Sequence, residues 1–270
     1  MTALATRTGV THRARLWLYV LCALVLLFLA MPALIVIPMS FSASSFLEFP
    51  PRELSLRWYA AFAESSEWRA AASMSLQVAG FTVVAATPLG TAAAYSLRFS
   101  QSRLTSVLLG ILTLPMLVPH ILIAIGLFFM FSRMGLTNTV IGLGLAHTVI
   151  AIPFVVVVVL AGLQDFDVTQ ERAARTLGAS RWTTFFRVVL PQIRFPVFAG
   201  ALFSFIASFD EAIISLLLTT GRNSTLTRRM FLSLRDAIDP TIAAISTVLI
   251  VMAVMLAVVA LVLNLRRKEP

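Results

Sequence analysis

Residues 139–163, TVIGLGLAHTVIAIPFVVVVVLAGL, and residues 195–218, FPVFAGALFSFIASFDEAIISLLL, are two long apolar runs. Between them, residues 171–192 read ERAARTLGASRWTTFFRVVLPQ, which is polar, basic and aromatic. A helix needs about 20 apolar residues to cross the hydrocarbon core of a bilayer. Both runs meet that length, so the polar stretch reads as a connection between two membrane spans.

Four more runs qualify, giving six expected spans: Leu16–Met39, Ala72–Leu97, Leu104–Phe131, Thr139–Leu163, Phe195–Leu218 and Thr241–Leu265. The composition agrees. The chain of 270 residues is 59% hydrophobic and only 12% charged, and its mean hydropathy is +0.93. A soluble domain carries about 25% charged residues, so lipid is the expected solvent. The expected fold class is all-α, a polytopic membrane protein forming a single domain over residues 1–270. The first run follows Arg7, Arg13 and Arg15, as a signal peptide would. It is longer than a signal core and closes on no clear A-x-A-like site, so it reads as a retained span.

Positive charge orients the spans. With the N-terminus inside, the inner side holds thirteen Arg and Lys residues and the outer side eight. Residues 1–15 then form a cytoplasmic tail, 164–194 a cytoplasmic loop, and the C-terminus is also inside. The net charge of +9 is thereby explained by topology rather than by nucleic acid. The outer segments Phe41–Trp68 and Thr219–Pro240 are expected at the outer interface, where Trp58 and Tyr59 suit the headgroup depth. The one cysteine, Cys22, lies in an apolar run and cannot form an internal disulfide.

Span two is rich in Ala, Gly and Thr, including Ala79, Ala86, Gly90 and Thr91; small residues let helices approach closely in lipid. Pro88, Pro115, Pro119 and Pro153 are expected to perturb their spans. His120 and His147, with Gln77 and Asn138, read as polar groups satisfied by neighbouring helices, and no metal site is expected.

The cytoplasmic loop has local structure written into it. Asp167 or Thr169 caps a helix beginning near Gln170. Ala173, Ala174 and Leu177 form a small apolar face, Gly178 interrupts, and Trp182, Phe185, Phe186, Val189 and Leu190 follow at helical spacing until Pro191. Two short helices joined at Gly178 are expected. Their surface suits either a protein partner or the lipid interface.

Asp210 and Glu211 are adjacent carboxylates inside the fifth run. Placing an aspartate near the centre of a membrane helix costs about 2.5–3.5 kcal/mol on insertion scales. They serve either a path for cations or a structural pairing between helices. As neighbours on the helix of this span their side chains diverge by about 100°, so at most one faces a central path.

The loop resembles the EAA loop of the membrane-spanning permease subunits of bacterial ABC importers. Ala173 and Ala174 match its alanines, Gly178 its glycine, and Val188, Leu190 and Pro191 its I-x-L-P end. The motif glutamate falls at Arg172, so Glu171 is the acid expected to serve. A finer resemblance, carried by Ser208-Phe209-Asp210-Glu211 and by Thr225, Leu226, Arg229, Met230 and Asp239–Pro240, is to the second permease subunit of the spermidine/putrescine group. The resemblance implies a type I importer transmembrane domain. It implies coupling through Glu171, Arg172, Ala173, Ala174, Gly178, Leu190 and Pro191 to a cytoplasmic ATPase homodimer. The ATP and Mg would be used by that partner; this chain would bind no cofactor. A second, homologous permease would complete the path, and an extracytoplasmic solute-binding protein would dock near Arg57 and Arg228–Arg229. The chain has no G-x-x-x-x-G-K-[ST] run, as expected of a non-catalytic subunit. An ion-coupled carrier would use Asp210 or Glu211 as its ion site but would leave the loop unexplained. Importers for iron, sulfate, opines or thiamine share much of the pattern.

Overall fold

A computed structural model describes residues 16–100, 102–237 and 239–265. The basic N-terminal tail and the terminal Arg266, Arg267 and Lys268 lie outside them. In chain order the helices are α1 (Leu16–Met39), α2 (Arg57–Glu64), α3 (Ser66–Phe99), α4 (Thr105–Thr113), α5 (His120–Met134), α6 (Val140–Gln164), α7 (Val168–Thr176), α8 (Arg181–Thr184), α9 (Leu190–Gln192), α10 (Arg194–Phe209), α11 (Ile213–Leu218), α12 (Leu226–Ala237) and α13 (Thr241–Leu265). Among the described residues, the only pairing outside helices is one antiparallel bridge, Ser42 with Leu54.

Three of these helices, α1, α3 and α6, are unbroken and long and apolar enough to cross a bilayer. Two expected spans are broken instead. The third turns by 94° between Thr105–Met116 and His120–Met134, and the fifth is entered through an 80° bend between Arg181–Gln192 and Arg194–Phe209. The first break has a covalent cause: Pro115 and Pro119 remove two N–H donors within one turn, and a proline ring clashes with the carbonyl four residues back. Pro88 and Pro153, also expected to perturb, sit inside continuous helices. The fifth span, expected to be continuous from 195 to 218, stops at Phe209 and restarts at Ile213.

The described residues form two compact units, 16–62 with 239–256 and 63–237 with 257–265. In the first, α1 has no buried side chain, which suits a helix solvated by lipid. The segment after it folds back on itself. The Ser40 and Tyr59 hydroxyls are hydrogen-bonded at 2.7 Å, Trp58 Nε1 donates to Ser44 O, and Arg57 donates to Ala43 O at 2.7 Å. Within α13, Ile242, Ala243, Ala244 and Ile245 are buried.

The second unit is organised on α3, α6 and α10. Ala86, Ala94, Ala151, Val155, Val159, Leu163 and Ile193 make one buried cluster. Apolar side chains gain little from leaving lipid, so membrane helices associate chiefly through close van der Waals contact. Gly90 illustrates it: a Cβ there would lie 2.6 Å from that of Val155. Gly162 likewise accommodates the ring of Pro196. A second cluster joins Met74 and Val78 of α3, Ala124 and Phe131 of α5, Leu143 and Ile150 of α6, and Ile214 and Leu218 of α11. The α3 helix of 34 residues is about 51 Å long at 1.5 Å per residue. It outspans the roughly 30 Å hydrocarbon core, so one end can reach the polar loop.

Candidate functional site

Two regions of the second unit carry the candidate residues, at opposite ends of α10. That helix has 16 residues, so they lie about 24 Å apart along its axis.

At the first end sits the polar loop. Asp167 is the N-cap of α7: its Oδ1 accepts the Thr169 N–H at 2.9 Å and also the Thr169 hydroxyl. These bonds favour the charged form and hold its carboxyl below the usual carboxylate range. The helix closes with the Ala179 N–H on Ala174 O and the Gly178 N–H on Arg175 O, the paired bonds of a Schellman motif. Gly178 has φ +89°, which side chains rarely adopt. Ser180 then caps α8 through the Thr183 N–H. Pro191 has no N–H to continue an α-helical register. The chain widens into a π-turn over Phe185–Val189, where the Leu190 N–H reaches Phe185 O. The two short helices and their glycine joint stand as expected.

The side chains of the loop divide by face. Glu171, expected on the partner surface, is buried, 7% exposed, and accepts the Tyr95 hydroxyl at 2.9 Å. Tyr95 packs between Phe99 and Phe185, with centroids at 4.7 and 5.1 Å. Beside it Arg98 donates to Leu163 O, the last turn of α6. Glu171 therefore ties the loop to α3 rather than projecting from it. Its second oxygen is buried with no hydrogen-bond partner among the described residues. Arg172, Ala173, Gly178 and Pro191 are exposed, and Ala174 and Leu190 half-buried. Leu177 is 88% exposed and Trp182 75%, and Trp182 stacks on the exposed Phe186 at 6.1 Å. Arg172, Arg175, Arg181 and Arg187 of the same segment are exposed as well. Exposed aromatic, apolar and arginine side chains on a segment too polar for the membrane core have the composition of a protein contact.

At the other end, Asp210 and Glu211 do not share a continuous helix. Asp210 is the C-cap of α10, and Glu211 precedes α11. Asp210 is exposed; Glu211 is 5% exposed. Glu211 Oε1 accepts the Ile214 N–H at 2.9 Å, satisfying a donor that the first turn of α11 cannot. Its Oε2 pairs with His120 Nδ1 at 2.7 Å. On the buried side of the break His147 Nδ1 meets Ser208 Oγ at 2.9 Å, and its Nε2 meets Ser215 Oγ at 3.5 Å. Ser208 donates on to Thr82 of α3. Thr227 of α12 donates to Phe209 O, satisfying a carbonyl at the helix end. A cavity of about 400 Å³ opens here, lined by His120, Ile150, Phe154, Ile206, Asp210 and Glu211 among others. The exposed Asp210 carboxylate is the one acidic group of this break not engaged by an ion pair or backbone cap among the described residues.

Of the other polar residues, Asn138 ties its neighbourhood together. Its Oδ1 accepts the Thr220 N–H, and its carbonyl accepts Asn223 Nδ2 at 2.7 Å. Gln77 donates within α3, to Ser73. Arg229 pairs with Glu67 and lies over the Trp68 ring at 5.0 Å. Arg228 donates to Ser224.

Apolar helices, two of them sharply broken, and a capped polar loop between apolar helices mark a polytopic membrane protein. Residues 86–268 match the family of binding-protein-dependent transport system inner membrane components, and the chain belongs to it. It is a non-catalytic ABC importer permease of the inner membrane, a class that works with an ATPase and a solute-binding protein. The chain is similar to the spermidine/putrescine transport system permease protein PotC of Escherichia coli (strain K12), 29% identical over 231 residues, 86% of this chain and 87% of that one. It is also similar to the putrescine transport system permease protein PotI of the same organism, 28% identical over 241 residues, 87% and 85% of the two chains. Among solved structures, a bacterial ABC transporter involved in import of the acidic polysaccharide alginate has the same fold, with a TM-score of 0.73 at 15% identity and full coverage of both chains.

Proposed function

We propose that this permease forms half of the translocation path for a small cationic solute, a polyamine such as spermidine or putrescine, and couples it to a separate ATPase through residues 171–191. The observation that carries the cargo class is the exposed carboxylate of Asp210 beside the cavity at the fifth-span break. An ammonium group entering there meets a negative charge that no side chain among the described residues neutralises by an ion pair, whereas Glu211 is already engaged. The names of PotC and PotI support the same class. The coupling role is supported by the exposed Leu177, Trp182 and Phe186 and the exposed arginines of the same segment, and by the Glu171–Tyr95 tether that joins the loop to α3. The N-terminus and C-terminus are assigned to the cytoplasm by the arginine bias, and a second, homologous permease completes the path.

The test is ATP-dependent uptake into proteoliposomes holding this subunit with its ATPase, second permease and binding protein. Labelled spermidine should accumulate and be displaced by unlabelled spermidine or putrescine. Displacement only by ferric iron, sulfate, thiamine or an opine would assign the cargo elsewhere.

A further inference from the structure

The two helix breaks of the second unit meet at one contact. His120 is the first residue of α5, directly after Pro119 ends the break in the third span. Glu211 lies in the break of the fifth span. The 2.7 Å pair between them joins two discontinuities far apart in the chain. Beyond it, α5 and α11 share the cluster formed by Ala124, Phe131, Ile214 and Leu218.

We propose that His120 and Glu211 form a latch, so that α5 and α11 move as one gating body while the latch is closed. His120 is the positioning residue: it holds Glu211 against the start of α11 and withholds it from cargo, leaving Asp210 as the carboxylate facing the cavity. The two sides of the break are built differently. On the inner side the fully buried His147 bridges Ser208 of α10 and Ser215 of α11, which flank the break. Leaving a buried polar group unpaired is costly. On the cavity side the His120 side chain is 39% exposed while that of Glu211 is 4% exposed. His120 can exchange Glu211 for water, and a competing cation can displace it from that carboxylate; His147 has no such access. The break can therefore open at His120 while His147 keeps α11 attached. For the cationic cargo proposed above, an ammonium group arriving at Asp210 competes with His120 for Glu211. That last step rests on the cargo reading; the latch does not.

The reconstituted importer separates the two. ATP hydrolysis is measured without binding protein or cargo, and labelled spermidine uptake is measured in parallel. His120→Ala should raise binding-protein-independent hydrolysis about tenfold and lower uptake per ATP by a similar factor, because the break no longer waits for the external signal. His120→Asn, which keeps an N–H donor near the Nδ1 position, should restore both to near wild type. The double variant His120→Leu with Glu211→Gln leaves no buried charge and preserves the cap on Ile214, so it should insert normally and still show the raised hydrolysis. Wild-type hydrolysis in both His120→Ala and the double variant, or an Asn variant as defective as Ala, overturns the latch. Raised hydrolysis in these variants, with no spermidine uptake by the wild type, would sink the cargo reading and leave the latch standing.

Discussion

Replacing Gly178 by alanine isolates one physical effect in the loop. The residue has φ +89°, and a Cβ built there meets nothing within 4 Å. Alanine therefore introduces no clash with a neighbour, and its whole effect is backbone strain. Holding an L-residue in a left-handed conformation costs about 1–2 kcal/mol. The Schellman closure, Ala179 N–H to Ala174 O and Gly178 N–H to Arg175 O, depends on that conformation. A penalty of 1–2 kcal/mol corresponds to a factor of about 5–30 in a two-state ratio. The joint between α7 and α8 should relax by that factor, and with it the placement of the one helix relative to the other. The assay is the ratio of solute transported to ATP hydrolysed in the reconstituted importer, with membrane insertion checked by protease protection. Gly178→Ala should insert normally and lose coupling several-fold. Gly178→Asn should lose less, because asparagine tolerates left-handed backbone. Unchanged coupling in the alanine variant, or an asparagine variant worse than alanine, would refute the reasoning.

Other perturbations test other contacts. Tyr95→Phe leaves the buried Glu171 carboxylate without its hydrogen bond, a loss of about 1.5–3 kcal/mol for a bond to a charged group; the melting temperature in detergent should fall, and Glu171→Leu in the same background should recover part of it. Gly90→Ala forces a Cβ against that of Val155, and overpacking costs about 1–3 kcal/mol; the melting temperature should fall in the same assay, and adding Val155→Ala, which keeps the clashing Cβ, should not restore it fully. Truncating Trp182 and Phe186 to alanine removes exposed apolar surface, so co-purification with the ATPase should weaken while insertion and thermal stability stay as in wild type.

Features governed by a few consecutive residues were legible in the sequence. The Asp167 cap, the Gly178 joint and the effect of Pro191 depend on local backbone chemistry, and the loop follows them. Pro115 and Pro119 likewise announced the broken third span. The break at Asp210–Ala212 had no proline or glycine to mark it; there the Glu211 carboxylate accepts the Ile214 N–H and Thr227 donates to the Phe209 carbonyl, backbone groups that a continuous helix would have used. The inward turn of Glu171 depends on Tyr95, 76 residues away, and no local pattern reports it. His120 was read as a residue satisfied by its neighbours, which is correct in kind. Its partner was hidden because the pairing exists only once two broken helices meet. Arg228 and Arg229 looked available for docking; Glu67, Trp68 and Ser224 engage them within the unit.

The central claim is that Asp210 presents the negative charge that a cationic cargo meets. Spermidine uptake by the reconstituted importer carrying Asp210→Asn tests it most directly, with vesicle content matched to wild type. Asparagine preserves size and removes the charge, and it leaves the Glu211–His120 pair in place. The account predicts a loss of uptake of about tenfold or more, the order expected when roughly 1.4 kcal/mol of interaction is removed, with hydrolysis in the absence of binding protein unchanged. Uptake equal to wild type across the concentration range would contradict it.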